Sequence, residues 1–171
     1  MTRLAGEPRA GRVYRREDLL PFSTEVDRGS LAKLAQGLFY APRRSRLGLL
    51  PPDDEELVAA FLRDKDFLLF SPSAYNSAGL GATQRYNRAL VYNHKRHGVF
   101  KRGKRQFDFR AKPRFPKRLS PEFLFVDALN NLGDLAEDQA ALLERAQGRA
   151  AFIDRQRLLR AAESDGSMAT N

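Results

Sequence analysis

Two consecutive prolines, Pro51 and Pro52, limit the folds open to this chain more than any other feature. Proline has no backbone N–H and a fixed φ, so neither a helix nor a central strand continues through such a pair. The pair follows a strand-like run that leads into three arginines, GLFYAPRRSRLGLL, and precedes the charged segment DDEELVAAFLRD. We therefore predict a boundary here, with domains over residues 1–50 and 53–163 and a disordered tail over 164–171.

The segment after the prolines has the pattern of a helix. Asp53 can cap its N-terminus, acidic residues crowd its first turn and Arg63 lies in its last, which all suit the helix dipole. The predicted buried stripe consists of Leu57, Val58, Phe61 and Leu62.

Further along, strands and helices alternate. We predict strands at 67–70 and 89–92, a helix from Ser71-Pro72 to Gly79, a hairpin over 98–110, an apolar helix from Ser120 to Leu132 closed by Gly133, and a last helix over 138–162. This mixture predicts an α+β fold, with a small sheet and C-terminal helices in the second domain.

The first domain leaves two alternatives open. A short helix is expected around Arg15–Leu20, ended by Pro21. Thr24 and Asp27 then form a capping box that predicts a helix from Glu25. The alternative is a hairpin in which residues 30–34 pair with 38–41 across a turn at 35–37. Periodicity does not distinguish the two.

Positive charge is concentrated in one part of the sequence. Residues 95–118 carry eleven lysines and arginines against one acid, Asp108, a net charge of +10, whereas the whole chain has +9. Concentrated charge of one sign favours a polyanionic partner. The predicted polyanion surface consists of His94, Lys95, Arg96, His97, Lys101, Arg102, Lys104, Arg105, Arg110 and Lys112.

Aromatic residues are interleaved with these charges. The predicted hairpin turns at Arg102-Gly103 and alternates, so its core face carries Phe107 and Phe109 and its other face Gln106, Asp108 and Arg110. A solvated face normally mixes signs, whereas this one does not. We therefore interpret the phenylalanines as core and the charges as a surface for a polyanion such as nucleic acid.

No signature of catalysis stands out. His94 and His97 have no carboxylate close in sequence, and Lys95 and Arg96 between them would repel a cation, so we expect no metal site. Phosphate-binding glycine loops and the common hydrolase motifs are absent. We expect no cofactor and no enzyme, and keep phosphodiester cleavage by the two histidines as a third hypothesis.

The first domain carries a second basic cluster. Three arginines within four residues, following a strand-like run, predict contacts with DNA phosphates or the minor groove. The candidate DNA-binding residues are Arg12, Arg15, Arg16, Arg28, Lys33, Arg43, Arg44 and Arg46.

Four stretches together resemble a known family. GRVYRREDLL, GLFYAPRRSRLGLLPPDDEELV, FLLFSPSAYNSAGLG and VYNHKRHGVFKRG resemble, in pattern and order, the AbiEi antitoxins of bacterial type IV toxin–antitoxin systems, which belong to phage defence. The resemblance implies an N-terminal winged helix-turn-helix domain that binds operator DNA and represses its own operon. It also implies a C-terminal α/β domain that neutralises a nucleotidyltransferase toxin. The toxin's own Gly-Ser followed by paired aspartates is absent, since Gly29-Ser30 has no Asp-x-Asp after it.

One departure from the family concerns the recognition helix. The resemblance makes GSLAKLAQGLFYAP, residues 29–42, the wing hairpin, and Arg28 runs straight into it. The recognition helix is then only about one turn long, so it offers few of the contacts that read bases in the major groove. We expect a shortened winged helix-turn-helix whose remaining phosphate contacts give salt-sensitive binding.

The leading hypothesis is a cytoplasmic antitoxin whose partners are operator DNA and a nucleotidyltransferase toxin, with no membrane partner. No apolar run approaches the length of a membrane span, and there is no cysteine for disulfides. The alternative is a nucleic-acid-binding module, for RNA in particular, that uses the basic hairpin.

Overall fold

The computed structural model describes residues 8–22, 30–80, 87–102, 104–135 and 139–165. The chain divides into two compact units, Met1–Lys65 and Asp66–Asn171. Helices and small sheets are mixed in it, which confirms the α+β class. The division lies after Lys65, beyond the predicted boundary at Pro51-Pro52, so the helix that follows the prolines belongs to the first unit.

The first unit contains a three-stranded antiparallel sheet. Strands β1 (Val13–Arg15), β2 (Ala32–Ala35) and β3 (Leu38–Tyr40) lie in the order β1-β3-β2. Between the alternatives for residues 30–41, the hairpin is correct, and its turn places Gly37 at a φ of +76°. The short helix expected around Arg15–Leu20 is present as a 3₁₀ helix, Arg16–Phe22, which follows β1 directly and continues through Pro21 instead of ending there.

A second hairpin and a helix complete this unit. Strands β4 (Arg43–Ser45) and β5 (Gly48–Leu50) pair antiparallel. Helix α1 (Asp54–Leu62) begins as predicted, because Asp53 Oδ1 accepts the N–H groups of Glu55 and Glu56 at 2.9 and 3.3 Å. The buried side chains of α1 are Leu57, Val58 and Leu62.

The second unit is built on a four-stranded sheet. The strands are β6 (Phe67–Phe70), β7 (Arg88–Asn93), β8 (Gly98–Arg102) and β9 (Arg105–Ala111), in the order β6-β7-β9-β8. β7 runs parallel to β9, and the other neighbours are antiparallel. Because β8 lies outside β9, the 94–97 loop after β7 passes the end of β9 to reach the edge of the sheet.

Helical segments of the second unit follow the predicted positions in part. Ser71 caps the 3₁₀ helix Pro72–Ala78, which ends at Gly79 with a φ of +76°, as expected. The apolar helix is α2 (Pro121–Asn130), capped by Ser120. Gly133 does not close it, since α2 ends at Asn130 and Gly133 lies inside the short helix α3 (Leu132–Leu135).

The predicted last helix is broken in two. Helices α4 (Gln139–Ala150) and α5 (Arg155–Asp165) are separated by residues 151–154, because Asp154 Oδ1 accepts the N–H groups of Gln156 and Arg157 and begins a new helix. α5 reaches into the predicted tail, whose residues 166–171 lie outside the described part. No helix in that part is long and apolar enough to span a bilayer.

The core of the second unit lies where the sheet meets the helices. Phe70 stands edge-on to Tyr75, Tyr92 and Phe123, with ring centroids 5.9, 5.4 and 6.2 Å away. Such edge-to-face pairs add to the free energy of apolar burial. They fix the positions of two tyrosines whose hydroxyl groups belong to a polar network described below.

Candidate nucleic-acid interface

Arg15, a candidate DNA contact, has a structural role. Its Nη2 donates hydrogen bonds to the carbonyl oxygens of Ala60 and Phe61 at the end of α1, and its Nη1 forms an ion pair with Glu17. Helix ends leave carbonyl groups unpaired, and a cation there also suits the helix dipole. Because its guanidinium already binds these groups, Arg15 is removed from the candidate interface.

Arg43 is also held by contacts within the protein. Its side chain lies over Gly11, at a φ of +90°, so closely that a Cβ at Gly11 would collide with the guanidinium. Its Nε donates to the Ala10 carbonyl at 3.4 Å. The sequence analysis did not predict this contact. Its one signal was Gly11, because a glycine just before a strand can mark a place where another group approaches the backbone closely.

The rest of the β4–β5 hairpin is open to solvent. Residues 43–50 are all exposed, and at its turn the side chain of Leu47 is fully exposed, next to Arg46. Tyr40 fastens the hairpin to the sheet, since its hydroxyl donates to the Leu50 carbonyl and accepts the Arg43 N–H. The predicted arginine spur is therefore a hairpin that presents Arg44 and Arg46.

The other candidates of the first unit are placed as follows. Arg12, Arg16 and Lys33 are exposed, with Lys33 on β2 opposite Phe39. Arg28, together with the segment 23–29 that would contain the shortened recognition helix, lies outside the described residues.

A cleft of about 500 Å³ lies in the first unit beside α1. Arg12, Arg15, Arg63 and Lys65 line it together with Asp18, Glu56 and Asp64. Arg63 forms an ion pair with Glu17 at 2.8 Å. Since acids and bases alternate around this cleft, it does not have the single sign of charge that a polyanion requires.

Two residues of the predicted polyanion surface are held inside the second unit instead. Lys112 Nζ lies 2.8 Å from Asp127 Oδ1 and 3.9 Å from the centre of the Tyr92 ring. Arg110 binds Asp108 at 3.0 Å and Asp134 at 2.7 Å. A cation that is already paired with acids of the protein contributes little to a binding surface, so both residues are removed from it.

Asp127 is the centre of a polar network that the sequence did not reveal. Its carboxylate has no solvent exposure and accepts hydrogen bonds from Tyr75 at 2.5 Å and Tyr92 at 2.7 Å, besides the Lys112 ion pair. Burial, and then the charge of Asp127, raises the pKa of Tyr75 and of Tyr92 above the ordinary range, so both hydroxyls stay protonated donors. The one available signal was a lone acid within the apolar run FLFVDAL.

Asn131 connects this network to a second one. Its amide donates to the Tyr92 hydroxyl at 3.3 Å, and its oxygen accepts from Arg110. Asp108 lies between Arg110 and Arg88. Burial favours the neutral acid, but the hydrogen bonds from the two arginines outweigh it and lower the pKa of Asp108. The prediction that Asp108 faces solvent was wrong, since it is 7% exposed on the helix-packed face of the sheet.

The remaining basic residues lie at the two ends of β8. Lys95, Arg96 and His97 are exposed in the loop before it. Lys101, Lys104 and Arg105 are exposed at the turn after it, where Arg102 stands opposite Arg105. Like charges directly opposite each other on paired strands are unfavourable, so this turn suits an anionic partner.

The histidine pair does not form a metal site with neighbouring acids in the described part, where no group of three potential ligands occurs. A carboxylate that is distant in sequence does lie near, since Asp66 Oδ2 is 3.6 Å from His94 Nε2. His94 Nδ1 donates to the Lys112 carbonyl at 3.0 Å. Both ring nitrogens of His94 are thus oriented by the protein.

Comparison with known proteins identifies no relative of this chain. No protein-family model, no curated protein and no solved structure matches this chain.

Proposed function

We propose that this protein is an antitoxin of the AbiEi type, in which the first unit binds operator DNA and the second neutralises a nucleotidyltransferase toxin. The family assignment rests on the four sequence stretches that resemble AbiEi antitoxins. The structural observation that supports DNA binding best is the β4–β5 hairpin, which is exposed throughout, contains three arginines and has no acidic residue.

The position of this hairpin supports the same role. The resemblance makes residues 29–42 the wing, and β2 and β3 form a hairpin within that range. The β4–β5 hairpin follows directly and presents Arg44 and Arg46. Arginines contact phosphates by charge and geometry, whereas a shortened recognition helix supplies few base contacts. We therefore propose binding that depends on phosphate contacts and responds strongly to salt.

The DNA-binding role is tested by replacing both arginines. The double variant Arg44→Ala/Arg46→Ala should bind duplex DNA less tightly across sequences, and the slope of log affinity against log salt should flatten by about 0.9 for each lost phosphate contact. The matched control Arg155→Ala/Arg160→Ala removes the same charge from exposed positions of α5. An equal loss in both variants would mean that only net charge matters and would reject the hairpin as the contact.

The antitoxin role is tested separately in cells. The proposal implies that a nucleotidyltransferase toxin is encoded beside this gene, and co-expression of this protein with that toxin should rescue growth. Absence of rescue at normal expression would reject the antitoxin role, whatever the result of the DNA-binding measurements.

A further inference from the structure

Two loops of the second unit are joined at one end of its sheet. One is the β7–β8 loop, residues 94–97, and the other is the segment 112–119 after β9. The Lys112 N–H donates to the Asn93 carbonyl at 2.8 Å, and His94 donates back to the Lys112 carbonyl. These bonds make the two loops one surface, which we call the two-loop surface.

The backbone of the first loop is held in place by hydrogen bonds within the protein. The Asn93 side chain is buried, and its oxygen accepts the N–H groups of Lys95 and Arg96 at 2.9 and 2.6 Å. Its amide donates to the Arg96 carbonyl at 2.9 Å. The loop backbone is therefore fixed while its side chains point to solvent, which reduces the entropy lost on binding.

Both loops contribute positive charge. Lys95 and Arg96 are exposed on the first, and Arg114, Lys117 and Arg118 on the second. Within the described part of the chain, those three residues of the second loop make no ion pair. Five exposed cations on two joined loops form a site for several phosphates rather than one.

An aromatic surface lies among these cations. The His94 ring stacks on Phe115 with centroids 4.6 Å apart and planes 27° apart. Phe115 in turn packs against the core, so the pair is supported from below. The His94 side chain is 40% exposed, which leaves part of the ring available to a planar ligand.

We propose that the two-loop surface binds single-stranded nucleic acid, with phosphates on its lysines and arginines and one base stacked on His94. A surface that bound nucleic acid through charge alone would bind a duplex as well as a single strand. A duplex keeps its base faces stacked on each other, so an exposed ring among cations selects unpaired bases. This site goes beyond the antitoxin role and does not depend on it.

The opposite end of β8 provides an internal comparison. Lys101 and Lys104 are exposed there, close in sequence to Arg102 and Arg105. The aromatic pair near that turn, Phe100 and Phe107, is tilted at 38° and Phe107 is buried. That end has the charge of the two-loop surface without its exposed ring or its second loop.

The test measures binding to short fluorescent oligonucleotides by anisotropy, using the full-length protein with Arg44→Ala/Arg46→Ala, which removes the duplex contact proposed for the first unit. The probes are single-stranded RNA, single-stranded DNA of the same sequence, and the matching duplex. We expect tighter binding to single strands, and the tighter of the two identifies RNA or DNA as the ligand. His94→Ala should weaken single-strand binding about tenfold without changing the salt slope, since base stacking is worth roughly 1–3 kcal/mol. His94→Phe, which keeps a ring, should retain the binding.

The cations are tested in parallel. Lys117→Ala/Arg118→Ala should reduce the salt slope by about 0.7 for each lost phosphate contact. Lys101→Ala/Lys104→Ala removes the same charge at the other end of β8 and should leave the preference for single strands intact. Circular dichroism establishes that each variant is folded. Equal affinity for duplex and single strands, no effect of His94→Ala, or an unchanged salt slope in Lys117→Ala/Arg118→Ala would each overturn the proposal.

Discussion

Asp108 illustrates how one acid can determine the response of a fold to pH. It lies between Arg88 and Arg110 and is 7% exposed. Asp108→Asn should lower the free energy of unfolding by about 3 kcal/mol at neutral pH, because two largely buried arginines lose their counter-charge. The folded-state pKa is lowered from 3.8, so the stabilisation is present above about pH 4 and is lost as pH falls through the folded-state pKa.

Urea unfolding at neutral and acid pH checks this prediction. The difference between the wild-type protein and Asp108→Asn should shrink as pH falls from about 4 through the folded-state pKa. Over that range the wild-type unfolded chain takes up a proton at Asp108 while the folded carboxylate still keeps its charge. Asp134→Asn is the control, since Asp134 also binds Arg110 but is 57% exposed, and exposed ion pairs are worth about 1 kcal/mol or less. A difference that stays constant with pH would contradict the assignment.

Single residues were also the part of the site least predictable from sequence. The burial of the apolar helix was correct, since residues 123–128 are all buried. The partners of Asp127 were not predictable, because Tyr75 and Tyr92 are 52 and 35 residues away in sequence. The hydrogen bonds of a buried hydroxyl group also produce no periodic pattern in the sequence. For the same reason, Arg110 and Lys112 looked like surface cations, although tertiary contacts hold them inside.

At the scale of elements, β1 and α1 are connected by one side chain. Arg15 donates to the Ala60 and Phe61 carbonyls, and 15% of its side chain is exposed. Arg15→Met should destabilise the first unit by about 1–3 kcal/mol, because the chain length is kept while these acceptors lose a largely buried donor. Hydrogen exchange of the amides in the last turn of α1 would report the loss.

The neighbouring arginine is the control for this change. Arg16 is exposed, so Arg16→Met should leave exchange of the α1 amides unchanged. If both variants accelerate exchange equally, Arg15 does not hold the end of the helix.

Elements with local signals were predicted well, and the others were not. α1 has its cap and acidic first turn within its own sequence, and it begins where expected. The hairpin over residues 30–41 was one of two open alternatives, because a capping box competed with a turn at Gly37. The break before α5 did have a local signal, since Asp154 is a good N-cap, but Leu143, Ala146, Ala150 and Ile153 keep a helical spacing right up to it.

At the scale of the whole molecule, the concentrated charge of residues 95–118 is divided by topology. The order β6-β7-β9-β8 places the loop before β8 and the turn after it at opposite ends of one edge strand. The predicted hairpin over 98–110 already implied this separation. It did not imply that the 112–119 segment lies beside the 94–97 loop, because that placement needs the parallel pairing of β7 with β9, which depends on long-range contacts. The separation is what allows the two ends to be tested against each other.

The division into two units leads to a prediction about fragments. A fragment Asp66–Asn171 should fold alone and unfold cooperatively, because the sheet, the helices and the buried polar network all lie within it. A fragment that begins at Pro52 adds α1 without the β1 residue that binds its end, and should expose Leu57, Val58 and Leu62. Each such side chain forfeits roughly 1.5–3 kcal/mol when it is left in water.

Circular dichroism, thermal unfolding and the fluorescence of a dye that binds apolar surfaces distinguish the two fragments. The longer one should bind more dye and aggregate sooner, because the apolar side chains of α1 lack the strands of the first unit in that fragment. If only the longer fragment folds, α1 is part of the second unit, and the boundary lies at the double proline. A folded shorter fragment would place the boundary after Lys65 and supply the second unit alone for binding measurements.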